Sequence, residues 1–184
     1  MIGNNFILES KIDKLICDQL IEYHKRSPKQ IGRVGNHIDL QVKDSTDSIL
    51  ERSSQEYHNY FSALGEVVAE YIKKYPFCNY YSSWQNLENT IITYYKPTQS
   101  YQGWHTERSV VDGLCGSRHL VFMTYLNDVE DGGGTEFYHQ RKLIKARKGK
   151  TLIWPADWTH THRGIVSSTQ EKYIVTGWFN FTPS

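Results

Sequence analysis

Apolar residues in the first third of the chain recur at helical spacing. Ile12, Leu15, Ile16, Leu20 and Tyr23 share one face, which predicts an amphipathic helix over 11–26 that stops near Pro28. Ser10 with Asp13 reads as its N-cap and acidic first turn. A second stripe, Tyr57, Tyr60, Phe61, Leu64, Val67, Val68 and Tyr71, predicts a helix over about 53–74 that Pro76 ends. Its aromatic residues suit core packing. Between the helices, residues 29–50 are polar and mixed, with Gly32 and Gly35 marking turns. There Ile38, Leu40 and Val42 alternate with polar residues and predict a short strand. The run Lys43-Asp44-Ser45-Thr46-Asp47 is turn-like and offers Ser45 or Asp47 as the cap of a short helix.

From about residue 78 the pattern changes to short β-branched and aromatic runs separated by turn residues. Strands are predicted at Thr90–Tyr95, His119–Leu126, Thr135–Tyr138, Thr151–Trp154 and Tyr173–Phe181. Leu143-Ile144-Lys145-Ala146 leads to the Gly149-Lys150 turn. Asp131-Gly132-Gly133-Gly134 lacks the Gly-Lys-Ser/Thr tail and following helix of a phosphate loop, so a hairpin turn is expected there. Helices followed by many strands predict an α+β, mainly β protein, a sandwich or barrel braced by N-terminal helices. One domain over 1–184 is expected, with 1–77 as a helical support region and 78–184 as the strand-rich core.

Composition narrows the class. With 21 Lys+Arg against 20 Asp+Glu, no basic footprint for nucleic acid or an anionic membrane is present. Three scattered cysteines, Cys17, Cys78 and Cys115, form no CxxC pair and suit a reducing cytoplasm rather than a disulfide framework. No apolar run approaches a membrane span, and the N-terminus shows no signal-peptide pattern. An aromatic content of 14% with 13 Tyr and 5 Trp fits a sheet-rich fold with a lined cavity.

The candidate chemistry lies in His105-Thr106-Glu107 and in Thr159-His160-Thr161-His162. Two imidazoles and a carboxylate form the ligand set of a mononuclear non-haem Fe(II) site, which leaves positions open for a chelating cosubstrate and O₂. His105 and Glu107 are two apart and point to the same side of an extended chain. His160 and His162 are also two apart, so spacing alone does not choose the third ligand.

Several blocks are in an order that resembles the Fe(II)/2-oxoglutarate-dependent dioxygenases, in their prolyl 4-hydroxylase-like branch. These are Tyr94-Tyr95-Lys96-Pro97, Trp104-His105-Thr106-Glu107, Phe122-Met123-Thr124-Tyr125-Leu126-Asn127, Gly132-Gly133-Gly134-Thr135-Glu136-Phe137, Lys148-Gly149-Lys150, and His162 with Lys172-Tyr173 and Trp178. The resemblance covers roughly residues 90–182. It implies a double-stranded β-helix, or jelly-roll, core over 78–184 that hydroxylates an unactivated C–H bond, with peptidyl proline the substrate by analogy. The cofactors implied are Fe(II), 2-oxoglutarate as cosubstrate and O₂, with ascorbate supporting activity. A basic residue nine or ten positions after the distal histidine binds the far carboxylate of 2-oxoglutarate in this family, so Lys172 selects His162 over His160. The metal and catalytic set is then His105, Glu107 and His162. Tyr125 matches a tyrosine that helps hold that carboxylate, and Tyr95 matches another of the cosubstrate pocket. Glu107 departs from the commoner HxD pattern by one methylene.

The resemblance further implies a peptide or small-molecule substrate, with the loops at 29–50 and 106–118 as candidate covers. Arg108 and Arg163 read as solvated residues, and Trp178 as interior near the site. Two other classes fit the bare residues: a non-catalytic jelly-roll binding module, and a cupin-type metal enzyme that does not use 2-oxoglutarate. Neither requires Lys172.

Overall fold

The computed structural model describes residues 5–35 and 37–182. Strand β1 (Leu8–Lys11) precedes helix α1 (Lys14–Arg26); β2 (Gln30–Ile31) and β3 (Thr46–Leu50) lead to helix α2 (Gln55–Lys74). There follow β4 (Trp84–Gln85), β5 (Thr90–Tyr95), a single helical turn α3 (Gly113–Gly116), β6 (Arg118–Tyr125), β7 (Thr135–Phe137), β8 (Lys142–Ile144), β9 (Lys150–Pro155), β10 (His162–Gly164) and β11 (Lys172–Phe181).

The caps explain where the helices begin. Asp13 is the N-cap of α1 and accepts from the Leu15 backbone N–H, while Ser54 caps α2 and accepts from Tyr57. Ser10 is not part of a cap: it is in β1, where its hydroxyl donates to Glu70. Pro28 follows the end of α1 and Pro76 the end of α2, where a ring in place of the N–H prevents the helix from continuing.

Eight strands form one antiparallel sheet in the order β1-β9-β6-β11-β5-β3-β2, with β4 pairing the end of β11; a smaller sheet runs β10-β7-β8. The helices cover the outer face of the large sheet and the small sheet covers its inner face. Along β6, Leu120 and Phe122 pack with Leu20, Tyr60, Leu64 and Tyr71 under the helices. Val121, Met123 and Tyr125 point the other way, toward Phe137, Ile144 and Trp154 between the sheets. Because β6 is covered on both faces, it reads as a continuous apolar run rather than as an alternation.

Three further expectations from the sequence are corrected. Residues 38–42 form no strand: Asp39 accepts from the Gln41 N–H through its side chain and from Val42 and Lys43 through its carbonyl, which makes a turn. Ile38 and Leu40 are exposed there, with no core to bury them. Ser45 and Asp47 cap no helix; Asp47 lies in β3 and pairs with Lys43 at 2.9 Å. The Gly132-Gly133-Gly134 run closes no hairpin, since β6 and β7 lie in different sheets and the glycines carry the chain across the sandwich. Gly133, with φ at +68°, lies so close to Val129 that a Cβ would meet its side chain at 2.6 Å. Strands β1, β2 and β3, all from residues before 77, complete the large sheet.

Candidate active site

The large sheet and the small one meet where the chain between β5 and α3 runs beside β10. His105 and His162 face each other in an isolated antiparallel bridge, with His105 N–H to His162 O at 3.0 Å and His162 N–H to His105 O at 2.9 Å. That register brings two histidines 57 positions apart in the sequence onto one spot. Each ring is oriented by its own backbone: His105 Nδ1 bonds to Gly103 O and His162 Nδ1 to His160 O, both at 2.9 Å. A ring that donates from Nδ1 to a carbonyl leaves the Nε2 lone pair free for a metal.

Glu107 completes the cluster. Its Oε1 lies 3.3 Å from His162 Nε2 and 3.7 Å from His105 Nε2. One ligand atom from each of the three residues lies within 4.8 Å of the others, so all three converge on one ion position. Burial raises the Glu107 carboxyl, but its hydrogen bonds and attraction to the two histidines outweigh that and hold it well below the usual carboxylate range. Burial, joined by the charge of His162, lowers His105. A divalent cation requires an ionised carboxylate and imidazole nitrogens with a free lone pair, and this donor set fits Fe(II).

His160 takes no part in this cluster. Its Nε2 bonds to Asn5 O at 2.9 Å and its Nδ1 to Thr159 Oγ1 at 3.0 Å, so both ring nitrogens are occupied by structural partners.

Lys172 opens β11 directly opposite Tyr95 of β5. Its ammonium is buried, lies 4.4 Å from the centre of the Tyr95 ring, and has no salt bridge among the described residues. Desolvation alone pushes it down to about 8. A buried, unpaired cation between two sheets calls for an anionic ligand. This is the fit that 2-oxoglutarate requires: a cationic donor for the iron-distant carboxylate. Tyr95 thus meets the lysine with its ring face. Tyr125 is fully buried and its hydroxyl is 2.6 Å from Thr135 Oγ1.

Spacing gave no sign of several further residues. Tyr101 stacks flat on His105, with ring centroids 3.6 Å apart and planes 4° from parallel. Trp178 was expected inside, and its indole N–H donates to Glu107 Oε2 at 2.9 Å. Arg118 covers the Trp178 ring at 3.7 Å. The exposed-residue reading of Arg108 and Arg163 changes: Arg108 pairs with Asp157, and Arg163 with Glu136 at 2.9 Å while lying over Trp104.

Comparison with known proteins agrees with this geometry. Residues 90–180 match the model of the 2OG-Fe(II) oxygenase superfamily, and the chain belongs to that superfamily. No curated protein matches by sequence. A viral collagen prolyl hydroxylase from Paramecium Bursaria Chlorella virus-1, solved as its 2OG complex, is 19% identical; the match covers 97% of each chain with a TM-score of 0.69. A Trichoplax adhaerens prolyl hydroxylase, solved with a hypoxia inducible factor oxygen degradation domain peptide fragment, is 14% identical with a TM-score of 0.75, covering 96% of this chain and 84% of its own. A Pseudomonas putida prolyl-4-hydroxylase gives 13% identity and a TM-score of 0.74, covering 95% of this chain and 92% of its own. At these identities the likeness establishes the fold, the double-stranded β-helix. The protein is a 2OG-Fe(II) oxygenase with a His105-Glu107-His162 triad.

Proposed function

We propose that this oxygenase hydroxylates an unactivated C–H bond of a peptidyl proline. The observation that carries the reading is the triad together with the buried Lys172, which has no salt bridge among the described residues. His105, Glu107 and His162 would hold Fe(II) from one side, which leaves adjacent positions for the 2-oxo acid end of 2-oxoglutarate and for O₂. Lys172 meets the far carboxylate as a point charge, and Tyr125, whose hydroxyl is 2.6 Å from Thr135 Oγ1, is assigned to the same carboxylate. Tyr95 lies under the ammonium and fixes its direction by a cation–π contact. Once bound, the iron and cosubstrate supply oxidative decarboxylation to succinate and CO₂ coupled to oxidation of the C–H bond.

Support for a peptide substrate comes from the solved structures of similar fold, two of them prolyl hydroxylases of collagen or of a bound peptide. The connection between β2 and β3 reaches the site through the Lys43–Tyr101 bridge, and with the segment 106–112 it is suited to cover such a chain. Among the described residues no helix is long and apolar enough to cross a membrane. The three free thiols suit a reducing cytoplasm.

The test is incubation with Fe(II), ascorbate and 2-oxoglutarate, with and without proline-rich peptides, following succinate. Peptide-stimulated succinate and a mass gain of one oxygen on the peptide are expected. Turnover that no proline peptide stimulates would remove the substrate assignment, and absence of both turnover and 2-oxoglutarate binding would remove the reaction.

A further inference from the structure

The two oxygens of Glu107 have separate tasks. Oε1 faces the histidine nitrogens, whereas Oε2 accepts from Trp178 Nε1 at 2.9 Å and lies 3.8 Å from Arg118 Nη1. Indole is a donor only, so this bond always holds a lone pair of the carboxylate. Trp178 is itself fixed: its carbonyl accepts from Asn86 Nδ2 at 2.9 Å, and β11 pairs it with Val121. Arg118 lies over the indole, its Cζ 3.7 Å from the ring centroid, and donates Nη1 to the backbone carbonyl of Glu107 at 2.7 Å. The guanidinium is clamped from behind by both oxygens of Glu88, at 2.7 and 2.5 Å. Glu88 in turn accepts from the buried Asn180 at 2.9 Å. Arg118 therefore fixes the main chain of Glu107 while Trp178 fixes the tip of its side chain.

We propose that this Trp178–Arg118–Glu88 brace makes the site specific for glutamate over aspartate and confines Glu107 to one-oxygen ligation. With the main chain held by Arg118, the span from Cα to the indole N–H is set, and the glutamate side chain fills it. Aspartate would withdraw the carboxylate by one carbon–carbon bond, about 1.5 Å. From 2.9 Å that separation carries it outside hydrogen-bonding reach of Trp178. With Oε2 engaged by the indole, Oε1 would be the oxygen left to hold the metal, and the carboxylate would take one coordination position. Trp178 and Arg118 are positioning residues: they act through Glu107.

The inference rests on the metal site proposed above and is tested on the full chain with Mn(II) alone, by calorimetry or by loss of the free-ion resonance signal. Variants are Glu107→Asp, Trp178→Phe, which retains the ring under Arg118 and removes only the N–H, and the double variant. Groups that orient a metal ligand typically contribute 10–100-fold in affinity. Each single variant is expected to bind Mn(II) about 10–100-fold more weakly than wild type, and the double variant no more weakly than Glu107→Asp, because aspartate has already lost the indole. Glu88→Gln, which loosens Arg118 away from the indole, is expected to weaken binding in the same direction. Binding by Glu107→Asp as tight as wild type, or fully additive losses in the double variant, would overturn the brace. If Trp178→Phe fails to fold, Glu107→Asp and Glu88→Gln decide the question in the same way. Wild-type protein that binds no Mn(II) would instead refute the metal site itself.

Discussion

Replacing Lys172 by methionine should strengthen the empty protein and destroy its cosubstrate site. The ammonium is buried with no salt bridge among the described residues, and burial lowers it from its ordinary 10.5 to about 8. That drop corresponds to ~3 kcal/mol of unfavourable free energy in keeping the group charged at neutral pH. Methionine matches the unbranched stem and places a thioether over the Tyr95 ring, so little packing is lost. In the absence of ligand, Lys172→Met should therefore be more stable than wild type by up to ~3 kcal/mol at pH 7, or roughly 6–12 °C in a chain of this size.

The pH dependence has a definite sign. Between pH 8 and 10.5 the unfolded chain holds the lysine proton that the folded chain has released. Wild-type stability should rise with pH through that window and be flat below it, and Lys172→Met should lack the rise. Two-state denaturation across pH 7–11, with and without 2-oxoglutarate, reads all of this. Saturating 2-oxoglutarate should stabilise wild type and leave Lys172→Met unmoved. A ligand-free variant less stable than wild type, or one that still binds 2-oxoglutarate within a few-fold, would show that the lysine is not an unpaired cation awaiting a carboxylate.

Glu107→Ala should abolish Mn(II) binding measured by calorimetry, since it leaves two neutral imidazoles and no anionic ligand. His160→Ala should bind Mn(II) as wild type does, with a stability loss of about 1–2 kcal/mol from its freed Asn5 carbonyl; His162→Ala should lose the metal. Tyr125→Phe leaves Thr135 Oγ1 buried without its 2.6 Å partner, so it should lower stability by about 1–3 kcal/mol and raise the 2-oxoglutarate dissociation constant; Thr135→Val should raise it likewise. Phe122→Ala, which empties the layer between β6 and the helices, should cost about 3–5 kcal/mol by denaturation without changing the metal affinity of the protein that remains folded.

Much of the scaffold was legible because its signals are local. The stripes of α1 and α2 needed only their apolar residues at helical spacing, and the prolines after them fixed their ends. Strand β5 was read at the boundaries it has, Thr90–Tyr95, because a β-branched run bounded by Pro97 has few alternatives. Strand β3 was missed for a definite reason. Two of its three buried residues, Asp47 and Ser48, are polar, satisfied by Lys43 and by the His24 ring at 2.7 Å, and hydrophobic periodicity does not detect a strand buried largely through hydrogen bonds. The same limit applied at 38–42, where alternation was present but Asp39 had a turn to offer.

By itself the sequence determined the residue types of the site and their order: His-x-Glu, a distal histidine pair, and a lysine ten positions beyond His162. Those are short-range facts, and the family resemblance they carry was enough to name the ligands. The tertiary structure supplied the physical reason for choosing His162 over His160, through the His105–His162 bridge and the partners that occupy both nitrogens of His160. It also decided what glutamate is doing where aspartate is commoner. The residues that accommodate the extra methylene, Glu88, Arg118 and Trp178, come from three separate segments, and no spacing rule connects them; the sheet brings them together through register.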